Sequence, residues 1–333
     1  MRDIELCGVE YPILDIIYGG VPDRVVTDLG YKKRDVIPVD AIERSRIIAA
    51  LEKLDPTYVP GGAAANSLSA FAGFGGKTAF IARCGQDQYG EILLKDFDRS
   101  GILRDGLVLC QEPSGICVIV TTEDAERTMF PSVEAGLRLK PSDLNLEIFK
   151  RAQWIFTQAY MLPYSQDLKD TLYKTLDLAV ESGCKLAFSL SAPGIAKAER
   201  ETLLKIIPRV DLLFANEFEA TELSGKTCPK ESALFLAEYC KHVVVTAGAE
   251  GVWIIADGEI SHVAAFECQP VDLTGAGDMF AGAYLFGLVR GLSVPKAARV
   301  ANYLAMQVIT RVGARVEGDL QKLWLEACTK SEA

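Results

Sequence analysis

Four short apolar runs decide how this chain folds: QWIFTQ (153–158), KLAFSL (185–190), DLLFAN (211–216) and HVVVTAG (242–248). None alternates apolar with polar residues, and each is separated from the next by a stretch with helical spacing. Continuous apolar strands joined by helices imply a mainly parallel sheet covered on both faces. Toward the N-terminus, IELCGVEYPILDII reads as one opening strand that stops near Gly19 and Gly20. An amphipathic helix follows from Asp40, with Ile47, Leu51 and Leu54 on one face. After Pro60-Gly61-Gly62 come a small-residue helix, AAANSLSAFAGF, the strand KTAFIARC and a helix closing at Gly101. Two short strands lie in GLVLCQEPSGICVIVTTEDAERTMF, with a hairpin tip at Glu123-Asp124-Ala125. Toward the C-terminus, GVWIIADGEISHVAAF reads as a hairpin turning at Asp257-Gly258, and the remainder from Thr274 is helical. The expected architecture is one α/β sandwich. Segments 14–56 and 112–133, rich in turns, form a small β-lid beside a large unit made of 1–13, 57–111 and 134–333.

Composition narrows the function. The chain has 333 residues and a formal net charge of −10, which argues against a nucleic-acid or anionic-membrane partner. A polyanionic ligand is still possible for such a protein, provided local donors and a divalent cation receive it. Nine cysteines are scattered without a C-x-x-C pair, the pattern of reduced thiols in a cytoplasm. His242 and His262 are the only histidines and both sit in strand-like runs, so neither a zinc centre nor a Ser-His-Asp triad is expected. No signal-peptide pattern opens the chain, and no apolar run is long enough to span a membrane.

The chemistry concentrates in VDLTGAGDMFAGAYLFGL (271–288). A strand-like segment ends, Thr274-Gly275-Ala276-Gly277 turns, and a helix begins. Glycines there let backbone approach a ligand, while free N–H groups and the helix dipole attract an anion. Asp278 lies on the first turn, beside any phosphate bound there. N–H groups that gather charge and a carboxylate that takes a hydroxyl proton suit phosphoryl transfer. A helix capped by Thr274 with tight glycine packing explains the same residues, and both readings stand at this point.

Two familiar phosphate motifs fail. Gly75-Gly76-Lys77-Thr78 resembles the end of a P-loop, but Phe71 stands where that motif needs glycine. A dinucleotide fingerprint starting at Gly275 would need a small residue where Phe280 stands.

Other segments carry secondary signals. Gly61 and Gly62 leave room for a flat ligand, with Asn66 offering donor and acceptor and Asp15 as its carboxylate partner, while either side chain could equally be a core polar residue satisfied by backbone. Asn216 and Glu219, three apart at the carboxyl end of a strand, suit hydrated Mg²⁺ and equally suit a capping box. Thr246, Gly248 and Gly251 end another strand, where they could cradle a nucleotide or simply form a turn.

In order and spacing, these segments together resemble the ribokinase-like (PfkB) carbohydrate kinases over essentially the whole chain. The match runs Gly8…Asp15, Gly61-Gly62-x-x-x-Asn66, Gly85-x-Asp87-x-x-Gly90, Asn216-x-x-Glu219, Thr246-x-Gly248-x-x-Gly251, Asp272-x-Thr274-Gly275-Ala276-Gly277-Asp278 and Asn302…Gly313-Ala314. The resemblance implies a three-layer α/β/α sandwich with a β-lid, ATP and Mg²⁺ as cosubstrates, and transfer to a primary hydroxyl. It implies Asp278 as base, with Gly275, Ala276 and Gly277 as anion hole. Asp15, Gly61, Gly62 and Asn66 would then hold the substrate, and Arg127 would reach the phosphate from the lid. Asn216 and Glu219 would order Mg²⁺, while Asn216, Thr246, Gly248, Gly251 and Asn302 would line the nucleotide site. A monovalent cation (K⁺) near Asp272 is a further option. Within the family the chain looks most like the adenosine kinases, through ILDI, PGGAAANS, ERTMF, FSLSAPGI and NEFEA. A ribokinase- or fructokinase-like sugar kinase is the alternative, and a non-catalytic nucleoside- or ATP-binding protein a third. Such proteins are monomers or pair through their lids. Two departures stand out: Ser189 where Asn or Asp is expected, and Leu273 where Thr or Val is usual.

Overall fold

The computed structural model describes residues 2–124 and 126–331. Two sheets organise it. The larger takes nine strands: β1 (Ile4–Val9), β4 (Thr78–Gly85), β5 (Ile102–Cys110), β8 (Ala152–Gln158), β9 (Lys185–Ser189), β10 (Leu212–Asn216), β11 (His242–Thr246), β12 (Val252–Ala256) and β13 (Glu259–Val263). Their order is β13-β12-β11-β10-β9-β8-β1-β4-β5, parallel from β11 to β5, with an antiparallel hairpin, β12 and β13, at the other edge. The smaller sheet takes β2 (Ile13–Val21), β3 (Thr57–Gly61), β6 (Ile116–Thr122) and β7 (Arg127–Ser132) in the order β3-β2-β6-β7.

The parallel strands are apolar throughout because both faces are buried. Leu6, Phe80, Phe156, Phe214 and Val244 point to one side, where they meet Phe280, Tyr284 and Leu304 of two C-terminal helices. Cys7, Ile81, Ile155, Leu213 and Val245 point to the other, against Leu172 and Leu176 of the helix Gln166–Ser182. This is the three-layer α/β/α sandwich. No disulfide joins the cysteines among the described residues, and five of the nine are buried. His242 is half-buried against the Tyr284 hydroxyl at 2.7 Å, and desolvation pushes its ring down to about 4. That is a structural role. No helix among the described residues is long and apolar enough to cross a membrane.

Two details differ from the sequence reading. The opening run is two strands in two sheets, because Glu10-Tyr11-Pro12 breaks the apolar stretch and Pro12 has no N–H to continue a ladder. The chain crosses between the sheets at that break. Thr57–Gly61, which the division at 56/57 puts in the large unit, pairs antiparallel with β2 of the small sheet. Of the hairpin tip expected at 123–125, Ala125 lies outside the described residues, while Thr121 pairs with Arg127 across the β6–β7 hairpin. The Asp257-Gly258 turn is present, with φ of 50° and 84° as a type I′ hairpin turn requires.

The helices Ala63–Gly73 and Ala276–Val289 cross closely, and small residues make this possible. A Cβ on Gly282 would lie 2.5 Å from the Ser67 carbonyl oxygen. That approach brings the N-terminal turns of the two helices together at the carboxyl end of the sheet, where open α/β folds bind ligands. Asp87 fastens the other crossing to the small sheet. Its carboxylate caps the helix Gln88–Ser100 through Gly90 N–H and accepts from both the N–H and hydroxyl of Ser114, just before β6. The Gly85-x-Asp87-x-x-Gly90 match is therefore a structural tie.

Candidate active site

Asp278 is the third residue of the helix Ala276–Val289. Asn66, in the first turns of the facing helix, donates from Nδ2 to Asp278 Oδ2 at 2.9 Å. Two residues 212 positions apart are thus joined. Burial pushes the Asp278 carboxyl up to about 6, against the lowering effects of the Asn66 bond and the Arg315 charge. Gly275 caps the helix with φ of 79°, and nothing lies within 4 Å of where a Gly277 side chain would start, so the turn faces open space. The N–H groups of the first helical turn lack intrahelical acceptors by geometry. A glycine-lined helix start and a carboxylate therefore share one turn.

The cleft beside them holds about 260 Å³ and is lined by Gly275, Gly277, Asp278, Gln158, Tyr160, Ser189, Asn216, Glu219 and Thr246, among others. Ser189, the departure noted in sequence, lies on this lining. Asn216 and Glu219 form the capping box that was one of two readings of their spacing. Asn216 Oδ1 accepts from Glu219 N–H at 2.8 Å, and the two Glu219 oxygens accept from Asn216 N–H and Nδ2. Glu219 is buried and its carboxyl is pushed up to about 7, by burial first and the Asp278 charge second. Among the described residues no group of three or more His, Cys, Asp or Glu side chains forms a metal cage. Mg²⁺ makes no such demand, since it keeps several waters and takes few protein ligands. The Glu219 carboxylate, with lone pairs left over, fits contact through such waters.

Gly248, Gly251 and Asn302 are not among the lining residues. Gly248 and Gly251 bracket a short 3₁₀ turn after β11, and buried Asn302 donates to the Val263 and Ala264 carbonyls at 3.1 Å. Asn302 thus secures the chain leaving β13.

The small sheet reaches the loop before the helix Ala276–Val289 through Arg127. Burial along β2 alternates, so Leu14, Ile16 and Tyr18 enter the core while Ile13, Asp15 and Ile17 face the other way. By register, Cys117, Ile119, Thr121, Arg127 and Met129 share the Asp15 face. That face looks toward the large sheet, because Arg127 bonds Asp272 at 3.2 and 3.4 Å and the Thr274 hydroxyl at 3.5 Å. Gly61 ends β3 beside the Asp15 carboxylate, and Gly62 caps the helix that carries Asn66. Asp15 is pushed up to about 7 by burial, opposed by the Arg315 and Arg127 charges. Asp272 instead lies low, at about 2, with Thr274, Gly313 and Arg127 donating to it. Arg127 supplies a positive charge at Asp272.

Glu10 escaped the sequence reading. It sits where β1 ends, is 1% exposed, and caps the Asn66 helix by accepting Ala64 N–H at 2.8 Å. Burial pushes its carboxyl from 4.5 to about 8, with the Asp278 charge adding to the rise. The same signal that singled out Asp15, a carboxylate in an apolar strand, was present in IELCGVE. Between pH 4.5 and 8 the folded chain holds a proton on Glu10 that the unfolded chain has released. Stability therefore falls as pH rises through that window, by up to a few kcal/mol on an order-of-magnitude reckoning. Glu10→Gln keeps the acceptor for Ala64 and removes the titration. Its melting temperature should exceed the wild type's at pH 8 and converge with it at pH 4.5; a difference that ignores pH contradicts this.

Asp278 and Glu219 line the cleft, Glu10 lies close enough to feel the Asp278 charge, and Asp15 sits on the small sheet; burial holds all four carboxyls above their ordinary range, a pattern common at functional sites. Comparison with known proteins agrees. The pfkB family carbohydrate kinase model matches residues 29–319. A ribokinase of Lactococcus lactis is 31% identical over 81% of this chain and 85% of its own length. Adenosine kinase 2 of Arabidopsis thaliana is 26% identical over 92% of this chain and 94% of its own. The solved adenosine kinase of Sinorhizobium meliloti superposes with a TM-score of 0.86 at 26% identity, covering 98% of this chain and 99% of that one. A carboxylate at a glycine-lined helix start, the ribokinase-like fold and the family match meet in one conclusion: this chain belongs to the pfkB family of carbohydrate kinases, enzymes that transfer phosphate to a hydroxyl group.

Proposed function

We propose that the chain is an ATP- and Mg²⁺-dependent kinase that phosphorylates the 5′ hydroxyl of an adenosine-like nucleoside. The observation that carries this reading is the pairing of Asp278 with Asn66 at the N-terminus of the helix Ala276–Val289. A carboxyl near 6 is ionised at neutral pH yet basic enough to take a proton. The acceptor hydroxyl lies against Asp278 and gives up its proton as it attacks, while the Gly275–Gly277 turn receives the charge on the transferring phosphoryl group. Glu219 and Asn216 would hold hydrated Mg²⁺, which would supply positive charge against the phosphates. Thr246 lines the nucleotide side of the cleft, and Arg127 exchanges Asp272 for the phosphoryl oxygens as the lid closes. Segments 14–56 and 112–133, together with β3, act as that lid.

The substrate class follows from the small sheet. Its cleft face sets Ile13, Ile17, Ile119 and Met129 around one carboxylate, Asp15. An apolar platform suits a nucleobase, and a lone acceptor beside Gly61 suits ribose hydroxyls. Adenosine kinases among the relatives also span more of the chain than the ribokinase does. The higher identity of the ribokinase favours a second reading, phosphorylation of a free sugar. A panel of nucleosides, pentoses and hexoses with MgATP, read by ADP release, separates the two. The highest kcat/KM should fall on a purine nucleoside; a pentose or hexose in first place overturns the nucleoside assignment.

A further inference from the structure

The segment Gly313-Ala314-Arg315 touches the reaction centre from behind at three points. Gly313 N–H donates to Asp272 at 3.0 Å, and the Ala314 backbone packs so closely on Gly275 that a Cβ there would meet its carbonyl oxygen at 2.3 Å. Arg315 reaches furthest. Its Nε donates to Asn66 Oδ1 at 2.8 Å and its Nη1 to Asp96 Oδ2 at 2.5 Å. Asp96 is buried on the helix Gln88–Ser100, with its other oxygen bonded to Arg99 at 2.6 Å.

This arrangement fixes a degree of freedom that matters to the base. An Asn amide can turn either its oxygen or its NH₂ toward Asp278, and the two choices repel or attract a carboxylate. Arg315 has only donors, so its bond demands the Asn66 oxygen and leaves the NH₂ group for Asp278. The guanidinium in turn cannot swing, because Asp96 holds its far end through a charge-assisted bond. Its third nitrogen, Nη2, is buried with no acceptor among the described residues. A buried donor left unpaired costs about 1–3 kcal/mol, a burden that packing alone gives no reason to keep.

We propose that Arg315 is a positioning residue: through Asn66 it sets the orientation of the Asp278 carboxylate for proton abstraction. The inference rests on Asp278 as the base. Arg315 does not touch the reacting atoms in this scheme, and its effect belongs to kcat. The other titratable groups whose charges couple to Asp278 are Glu10, Glu219 and Tyr160, acidic or neutral, and Arg315 is the cation whose charge lowers it.

Arg315→Lys tests this while leaving a cation for buried Asp96. Lysine has one point of contact and cannot hold Asp96 and Asn66 in a fixed fork. The variant should fold with a melting temperature near the wild type's, lose roughly tenfold or more in kcat, and keep KM for both substrates within about threefold. Arg315→Ala, if folded, should regain kcat when guanidinium ion is added at millimolar concentration. A folded Arg315→Lys with kcat within twofold of wild type overturns the proposal, as does a loss carried by KM or a folded Arg315→Ala that guanidinium leaves unrepaired. Asp278→Asn, measured alongside, separates the two failures. An active Asp278→Asn removes the base itself, whereas an inactive one beside a fully active Arg315→Lys removes only the role of Arg315.

Discussion

Asp278→Asn should lower turnover by roughly 10²–10⁴-fold, the span general-base catalysis contributes, with nucleoside and ATP binding little changed. Asparagine fills the same volume, so the fold has no reason to change. Its amide cannot accept a hydroxyl proton, and its NH₂ would face the NH₂ of Asn66 unless one of them turned. The loss should therefore sit in kcat. In the wild type, kcat/KM should rise with pH around 6, because the carboxylate acts only when ionised and burial has raised it to that value. In Asp278→Asn that rise should vanish. Steady-state kinetics from pH 5 to 8 on both proteins reads the two effects together. Near-normal turnover in the variant, or an unchanged pH limb, would remove Asp278 from the chemistry.

Gly275→Ala should be nearly as severe for a different reason. Gly275 holds φ at 79°, where a side chain is strained, and its Cβ would enter the Ala314 backbone at 2.3 Å from the carbonyl oxygen and 2.6 Å from Cα. The helix start must move, and the N–H groups of 276–278 move with it. Losing one well-placed donor of this kind costs about 10²–10³-fold in turnover. Backbone strain of this type is of order 1–3 kcal/mol, so the variant should also melt several degrees lower. Gly277→Ala is the contrast, because nothing lies within 4 Å of its Cβ and its φ is not in the left-handed region. It should melt with the wild type. Equal melting temperatures for Gly275→Ala and wild type would show that Ala314 does not brace the turn.

The fold was legible in the sequence wherever a local pattern had a single physical cause. Apolar runs such as LLFAN and VVVT could be buried only on two faces, and they are. The opening run is less legible, because Glu10 and Tyr11 interrupt it without the pattern of a turn, and only the structure shows Pro12 dividing two strands. Asp278 was legible because glycines, helix start and carboxylate are adjacent in the chain. Asn216 and Glu219 were legible as a pair but ambiguous in role, since capping and cation binding use the same spacing. Arg315 was not legible at all. Its partners Asn66 and Asp96 lie 249 and 219 positions away, and no periodicity in RVGARV sets it apart. Such polar links, from a loop to two helices far away in sequence, need the fold before they can be seen.

The account as a whole stands on what is made in the cleft. Purified protein should be given MgATP and adenosine, and the phosphorylated product identified by ³¹P NMR. The expected result is one ADP for each nucleoside 5′-monophosphate, its phosphorus coupled to the two 5′ protons. Phosphate on a ring hydroxyl, or ADP released with only inorganic phosphate, would contradict it.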